Sequence, residues 1–304
     1  MKTRKIILLA ACALLLCVCI VQGITGLKNP VKTFTLNDSP DKITISGEGL
    51  DVLLTLKVNT WYVGTDNFSV NKADADRIVN AVKEVKVLNS IGRTGNELLE
   101  ERYGLGEAKA IKVSAFKNGK ELRTITVGKT SSTGAQSYIV FGGNKEIFLA
   151  SSNLRSAFDK SADDLRSKNV YSVTKSDITA VSVTTGDGTW GIEQKIGEDN
   201  KIEWTANGIA AGTEIDTSKA DSWLQQLSSL NVSSWLPNDT VFPSEKDVEV
   251  EISTADEKVS VTLYKQGSGD DVKYFCTGSK SSHKFELTKS AAEKYLKPAA
   301  GLKK

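Results

Sequence analysis

Ala75-Asp76-Arg77-Ile78-Val79-Asn80-Ala81-Val82-Lys83-Glu84-Val85-Lys86-Val87 and Ala220-Asp221-Ser222-Trp223-Leu224-Gln225-Gln226-Leu227-Ser228-Ser229-Leu230-Asn231-Val232 carry one pattern. Ile78 falls with Trp223, Val79 with Leu224, Val82 with Leu227 and Val85 with Leu230. Apolar residues recurring three and four positions apart predict a helix with one apolar stripe and polar residues opposite. The likeness extends outward. Upstream, Trp61 and Trp204 each end a strand-like run, residues 52–60 and 201–203. Downstream, Ile111, Val113 and Ala115 alternate as Val248, Val250 and Ile252 do, the period-two signature of a half-buried strand. Asn118-Gly119 turns into residues 121–127, as Ala255-Asp256-Glu257 leads into 258–264. Residues 138–141 answer 274–277, 147–149 answer 284–286, and short helices are expected over 152–158 and 289–295.

The expected fold class is therefore α+β, with two tandem similar domains. Each is a mainly antiparallel sheet packed by one amphipathic helix and closed by a short helix. Residues 43–46 and 52–57 open the first domain, as 178–185 and 191–196 open the second. The domains are expected over residues 28–170 and 171–304, and no Pro-rich or Gly/Ser linker separates them.

The 304 residues include 39 Lys and Arg against 37 Asp and Glu. Three of the cations, Lys2, Arg4 and Lys5, stand at the extreme N-terminus, so the remainder has 36 against 37. No broad basic field exists to hold phosphate backbones, which excludes nucleic acid as an expected partner. One His and four Cys do not suit a His-rich or Cys-rich metal centre, and no metal or cofactor is expected.

Residues 6–21 are apolar and uncharged, and the first acidic residue is Asp38. A basic flank followed by such a stretch is the pattern of an export signal or an uncleaved anchor over residues 1–27. The basic end stays in the cytoplasm, which places the body outside it, in a single-pass arrangement. Cleavage before a lipidated Cys12 is the alternative, since Leu9-Ala10-Ala11-Cys12 has the required small residues; a cleaved, freely diffusing product is the third. Residues 29–40 are expected to form a polar neck. Cys276 is the one thiol of the body, so no intramolecular disulfide supports it.

Trp61-Tyr62-Val63, Tyr103-Gly104-Leu105 with Ala108, Val127-Gly128-Lys129, Tyr138, Ile147-Phe148-Leu149 and Leu165-Arg166-Ser167-Lys168 follow one another in order. This succession resembles the bacterial domain-of-unknown-function family 4340, over roughly residues 43–185. The second half lacks the Tyr-Gly-Leu turn and the Leu-Arg-Ser-Lys ending and resembles it less. The resemblance implies a single-span extracytoplasmic protein, in some members in the setting of an ABC-type permease and ATPase complex. It implies no catalytic residue.

The remaining motifs carry little chemistry. Gly128-Lys129-Thr130 lacks the glycine a phosphate loop needs five positions earlier, where Arg123 stands. His283, in Ser281-Ser282-His283-Lys284, is expected in a polar turn. Glu198-Asp199 and Asp270-Asp271 read as surface turns. The C-terminal Leu302-Lys303-Lys304 reads as solvated surface. Trp190 and Trp235 have no counterparts between the halves and are the candidates for ligand stacking. The expected function is a membrane-tethered, extracytoplasmic, non-enzymatic interaction module, auxiliary to an ABC-type transport or envelope complex. The alternatives are a surface protein binding cell-wall sugar or peptide, and a hydrolase with a site between the halves.

Overall fold

The structure, a computed structural model, describes residues 13–20, 31–197, 202–209 and 213–304. The chain divides into two compact units, Met1–Ser167 and Lys168–Lys304. The division falls before residue 170 because residues 169–172 form a strand that pairs within the second unit.

In the first unit the elements are β1 (Lys32–Thr35), β2 (Lys42–Gly47), β3 (Leu50–Lys57), β4 (Thr60–Val63), β5 (Phe68–Ser69), α1 (Lys72–Lys83) and β6 (Glu84–Arg93). There follow α2 (Glu97–Tyr103), β7 (Ile111–Lys117), β8 (Lys120–Thr130), β9 (Ser137–Phe141), β10 (Glu146–Ala150), α3 (Arg155–Phe158) and α4 (Ala162–Leu165). The strands make one antiparallel sheet in the order β1-β6-β10-β9-β8-β7-β2-β3-β4-β5. Ile111, Val113 and Ala115 are buried on β7 as their alternation requires.

The second unit has β11 (Asn169–Ser172), β12 (Ile178–Thr185), β13 (Gly188–Ile196), β14 (Ile202–Asn207), α5 (Thr217–Leu227), β15 (Ser229–Asn231) and β16 (Ser234–Trp235). It continues with β17 (Val248–Thr254), β18 (Lys258–Gln266), β19 (Lys273–Gly278), β20 (Ser281–Thr288) and α6 (Lys289–Ala292). Its sheet has the order β14-β13-β12-β17-β18-β19-β20-β16, and β11 pairs with β15. Trp223, Phe285 and Tyr295 are among the largest fully buried side chains, and Cys276 is buried among the same core residues.

Both long helices start where a side chain meets orphan amides. Asn71 accepts from the Ala73 N–H at 3.0 Å, and Asp216 accepts from those of Ser218 and Lys219. The apolar stripe is buried: Ala75, Ile78 and Val82 on α1, and Ala220, Trp223, Leu224 and Leu227 on α5. The helices end sooner than the spacing suggests. Glu84 is already extended, and Val85 and Val87 are buried while Glu84 and Lys86 are exposed, which is strand periodicity. Leu230 likewise belongs to β15.

Three further expectations are corrected. The polar neck is interrupted by β1, whose Phe34 packs on Phe141 with ring centroids 4.6 Å apart. His283 lies within β20, since the turn occupies Ser279 and Lys280. Leu302 is fully buried and Lys303 bridges Ile215, so the last residues pack on the second unit. Of the expected anchor, residues 13–20 are helical and exposed, and the remainder, with Cys12, lies outside the described residues. Among the described residues no helix is long and apolar enough to cross a membrane.

Candidate functional site

Three landmarks of the first unit, Tyr103-Gly104-Leu105, Gly128-Lys129 and Tyr138, meet at one backbone junction. Helix α2 stops at Gly104, whose φ of 66° is the left-handed conformation that glycine adopts without penalty. The turn it makes presses on β8: a Cβ on Gly128 would stand 2.3 Å from the Tyr103 carbonyl oxygen. A Cβ on Gly104 would stand 3.0 Å from the Lys129 nitrogen. Both glycines therefore serve close backbone approach. Tyr103 packs on Tyr138 with centroids 4.5 Å apart, and Arg155 donates to the carbonyl oxygens of Lys109 and Gly128. Gly128-Lys129-Thr130 is thus the end of a strand wedged under a helix terminus. The Leu-Arg-Ser-Lys ending has a similar role. Arg166 lies over the Phe68 ring at 4.1 Å and bridges Val70, while the Ser167 N–H donates to the Ser69 carbonyl.

The second unit carries the candidate ligand surface, an open depression of about 510 Å³ on its sheet. Gly191 forms its floor, because a Cβ there would meet the Val181 carbonyl oxygen at 2.4 Å. Ser182, Glu193, Asn207, Glu251 and Lys258 surround it. Lys258 pairs with Glu251 at 2.7 Å, and the Asn207 amide donates to Glu193 at 3.1 Å. The lining offers hydroxyl, amide and carboxylate groups at fixed positions, a set suited to hydrogen-bonding a polar ligand. A glycine inside a strand pattern was the available sequence signal for this close approach.

The two tryptophans singled out from the sequence are not brought together. Trp190 pairs across the sheet with the buried Val183, and its ring stacks on Trp223 at 5.5 Å with 20° between planes. It is half-buried, with its ring turned to the core, and it is also among the residues that line the depression. Trp235 is also half-buried and presents its ring to His283 and Phe285 at 5.9 and 6.1 Å. Strands β13 and β16 are six places apart in the sheet, about 29 Å along it.

Two cations that the sequence did not single out hold the helix C-termini. Arg123 Nη1 donates to the carbonyl oxygens of Val82, Lys83 and Phe34 at 2.7, 3.3 and 3.2 Å. Burial lowers its pKa from the usual arginine range. Lys294 Nζ donates to those of Gln226 and Ser229 at 2.8 and 2.5 Å, and burial lowers its ammonium to about 8. Beside it, Tyr171 and Tyr295 share a hydroxyl contact of 3.0 Å, with the Tyr171 hydroxyl donating to the Leu227 carbonyl. Desolvation pushes Tyr171 up to about 12 and Tyr295 higher still. Burial also raises the Cys276 thiol, so it stays protonated and inert. Among the described residues no group of three or more His, Cys, Asp or Glu side chains is placed to hold a metal ion.

These features define a mainly antiparallel α+β protein whose motif glycines are explained by backbone packing. The family model described as Domain of unknown function (DUF4340) matches residues 61–249, and the chain belongs to that family. The match begins at Trp61, the first landmark, and continues beyond residue 185 to Glu249, in β17 of the second unit. No curated protein and no solved structure matches the chain.

Proposed function

We propose that the chain is a membrane-tethered, extracytoplasmic interaction module without catalytic activity, built from a duplicated sheet and auxiliary to an ABC-type transport or envelope complex. The observation that carries the reading is the agreement between the two ladders. In the first unit Ala115, Ile43, Leu54 and Val63 form one cross-strand row; in the second, Ile252, Val181, Ile192 and Ala206 do. The row joins β7-β2-β3-β4 in one case and β17-β12-β13-β14 in the other. Helix α1 precedes β6 as α5 precedes β15, and the pairs β1·β6 and β11·β15 correspond. Such agreement in register supports descent from one copied sheet.

The basic residues Lys2, Arg4 and Lys5 ahead of an uncharged apolar stretch support the tether and the external body. The transport setting rests on the family resemblance, an associational warrant. Crosslinking in intact cells followed by mass spectrometry tests it. Recovery of a permease and ATPase complex is the expected result, and repeated recovery of no membrane complex would remove the proposal.

A second reading, recognition of a cell-wall sugar or peptide, is favoured by the polar depression over Gly191. Calorimetric titration with cell-wall fragments tests it: Glu193→Ala should weaken binding, and an unchanged affinity would dismiss that surface.

A further inference from the structure

Strand β20 ends at Thr288, whose hydroxyl oxygen accepts from the Ala291 N–H and opens α6. The turn after α6 is pinned from two sides. The Trp223 indole N–H donates to the Lys294 carbonyl oxygen at 2.7 Å, and the next residue, Tyr295, is fully buried. The Lys294 side chain therefore leaves a fixed backbone. Its Nζ reaches the carbonyl oxygens of Gln226 and Ser229 and lies 5.1 Å from the centre of the Tyr295 ring.

These groups border an open depression of about 380 Å³, a size within the range of small-molecule sites. Ser229 and Ser290 bring hydroxyls to its lining, Gln226 and Asn231 bring amides, and Glu293 is the one acidic side chain there. Behind the Tyr295 ring, β11 contributes the Tyr171 phenol, which is neutral. Burial is the one cause that lowers the Lys294 ammonium, so among the described residues no carboxylate holds its charge in place.

An ammonium has three N–H groups and a neutral amine two. The neutral form of Lys294 thus keeps one donor for each carbonyl and gains a lone pair at the remaining position. At about 8, roughly a quarter of it is neutral at pH 7.5, against about a thousandth for an amine at 10.5. A desolvated lysine in this state is a nucleophile toward carbonyl carbon.

We propose that Lys294 condenses reversibly with a small hydroxylated aldehyde held in the depression, the open-chain form of a short sugar being the class that fits. The Nζ lone pair forms a bond to the aldehyde carbon. The carbonyl π pair moves to its oxygen, which takes the proton shed by nitrogen. Loss of water from this carbinolamine gives the imine, so amine plus aldehyde balances imine plus water with no change of oxidation state. The serine and amide side chains of the lining hydrogen-bond the hydroxyls of the aldehyde. The imine nitrogen retains at most one N–H, so one helix carbonyl loses its donor, which favours return to the free amine. The inference stands apart from the tether and transport reading.

The probe is glyceraldehyde, offered to the full chain in detergent with cyanoborohydride, which reduces the imine and fixes it for peptide mass spectrometry. Propionaldehyde, with the same three carbons and no hydroxyl, is the control, and the exposed Lys120 is the internal reference. At pH 7.5 Lys294 should be labelled about tenfold or more faster than Lys120. Its rate should level off above about 8. Its preference for glyceraldehyde over propionaldehyde should exceed that of Lys120 by about fivefold or more. Gln226→Ala combined with Ser290→Ala, at two exposed positions, should bring this preference toward that of Lys120 with an unchanged melting temperature. Equal rates at the two lysines would overturn the proposal. So would a fast Lys294 with no more preference than Lys120, which describes a reactive amine without a site. An unchanged preference in the double variant would likewise overturn it.

Discussion

The Arg123 guanidinium lies 2.7 Å from the carbonyl oxygen of Val82, the last buried residue of α1, although 41 positions separate the two in the chain. Lys294 does the same work for α5 through Gln226 and Ser229. The last carbonyls of a helix have no intrahelical partner and carry partial negative charge, so a half-buried cation satisfies both requirements. Arg123 comes from β8 and Lys294 from beside α6, so the same physical problem is solved from different elements.

Arg123→Met should destabilise the first unit by about 1.5–3 kcal/mol, the range for hydrogen bonds to a charged group. Arg123→Lys should recover part of this. Chemical denaturation of both variants checks it; equal stability of the Met variant and the parent would show that the cap is idle.

Gly128→Ala should cost more than an ordinary glycine replacement, about 2–4 kcal/mol, because the new methyl would overlap the Tyr103 carbonyl. Gly143, with nothing within 4 Å of its Cβ position but a φ of 76°, provides the comparison of strain without overlap. Thermal unfolding of the two alanine variants should place Gly128→Ala well below Gly143→Ala.

Trp190→Ala should lower stability by about 2–3 kcal/mol, since it removes a ring stacked on the buried Trp223. A merely exposed stacking residue would leave the melting temperature unchanged, so one scan separates the packing role from the ligand role.

Alkaline pH should unfold the second unit first through its buried acids. In the unfolded chain Cys276 and the two tyrosines ionise near their ordinary values of 9.0 and 10.0, whereas the fold holds all three protonated beyond these. Their contribution is complete below about pH 9 and is lost as pH rises through the folded values. Lys294 acts oppositely: lowered to about 8 from 10.5, it adds stability as pH rises between those values. Three acids outweigh one amine, so net stability should fall above about pH 10. Absorbance at the tyrosinate band, read against denaturation midpoints, checks this: Tyr171 and Tyr295 should ionise only with unfolding.

The sheet was largely legible because its strands bury alternate residues. Ile111, Val113 and Ala115, and likewise Val248, Val250 and Ile252, announce a half-buried strand without any tertiary information. Strand β1 was not legible: Lys32-Thr33-Phe34-Thr35 has one apolar residue, and its pairing with β6 lies some fifty positions away. The end of α1 is ambiguous in the sequence because Val82 and Val85 are three apart, which suits a helix, while Val85 and Val87 are two apart, which suits a strand. The extended backbone at Glu84 decides between them. The caps are illegible for the same reason as β1, since neither Arg123 nor Lys294 is near its carbonyl partners in sequence. Trp190 both stacks on Trp223 and borders the depression, and its place opposite Val183 is set by strand register, which composition does not reveal.

The central claim, that the body stands outside the membrane that tethers it, is tested most directly with a single added thiol. Val241 is 86% exposed, and Val241→Cys can be treated in intact cells with a membrane-impermeant maleimide, the parent chain serving as background. Labelling without permeabilisation, on protein that sediments with membranes, is the predicted result. Labelling only after lysis, or a labelled product free in the soluble fraction, would contradict it.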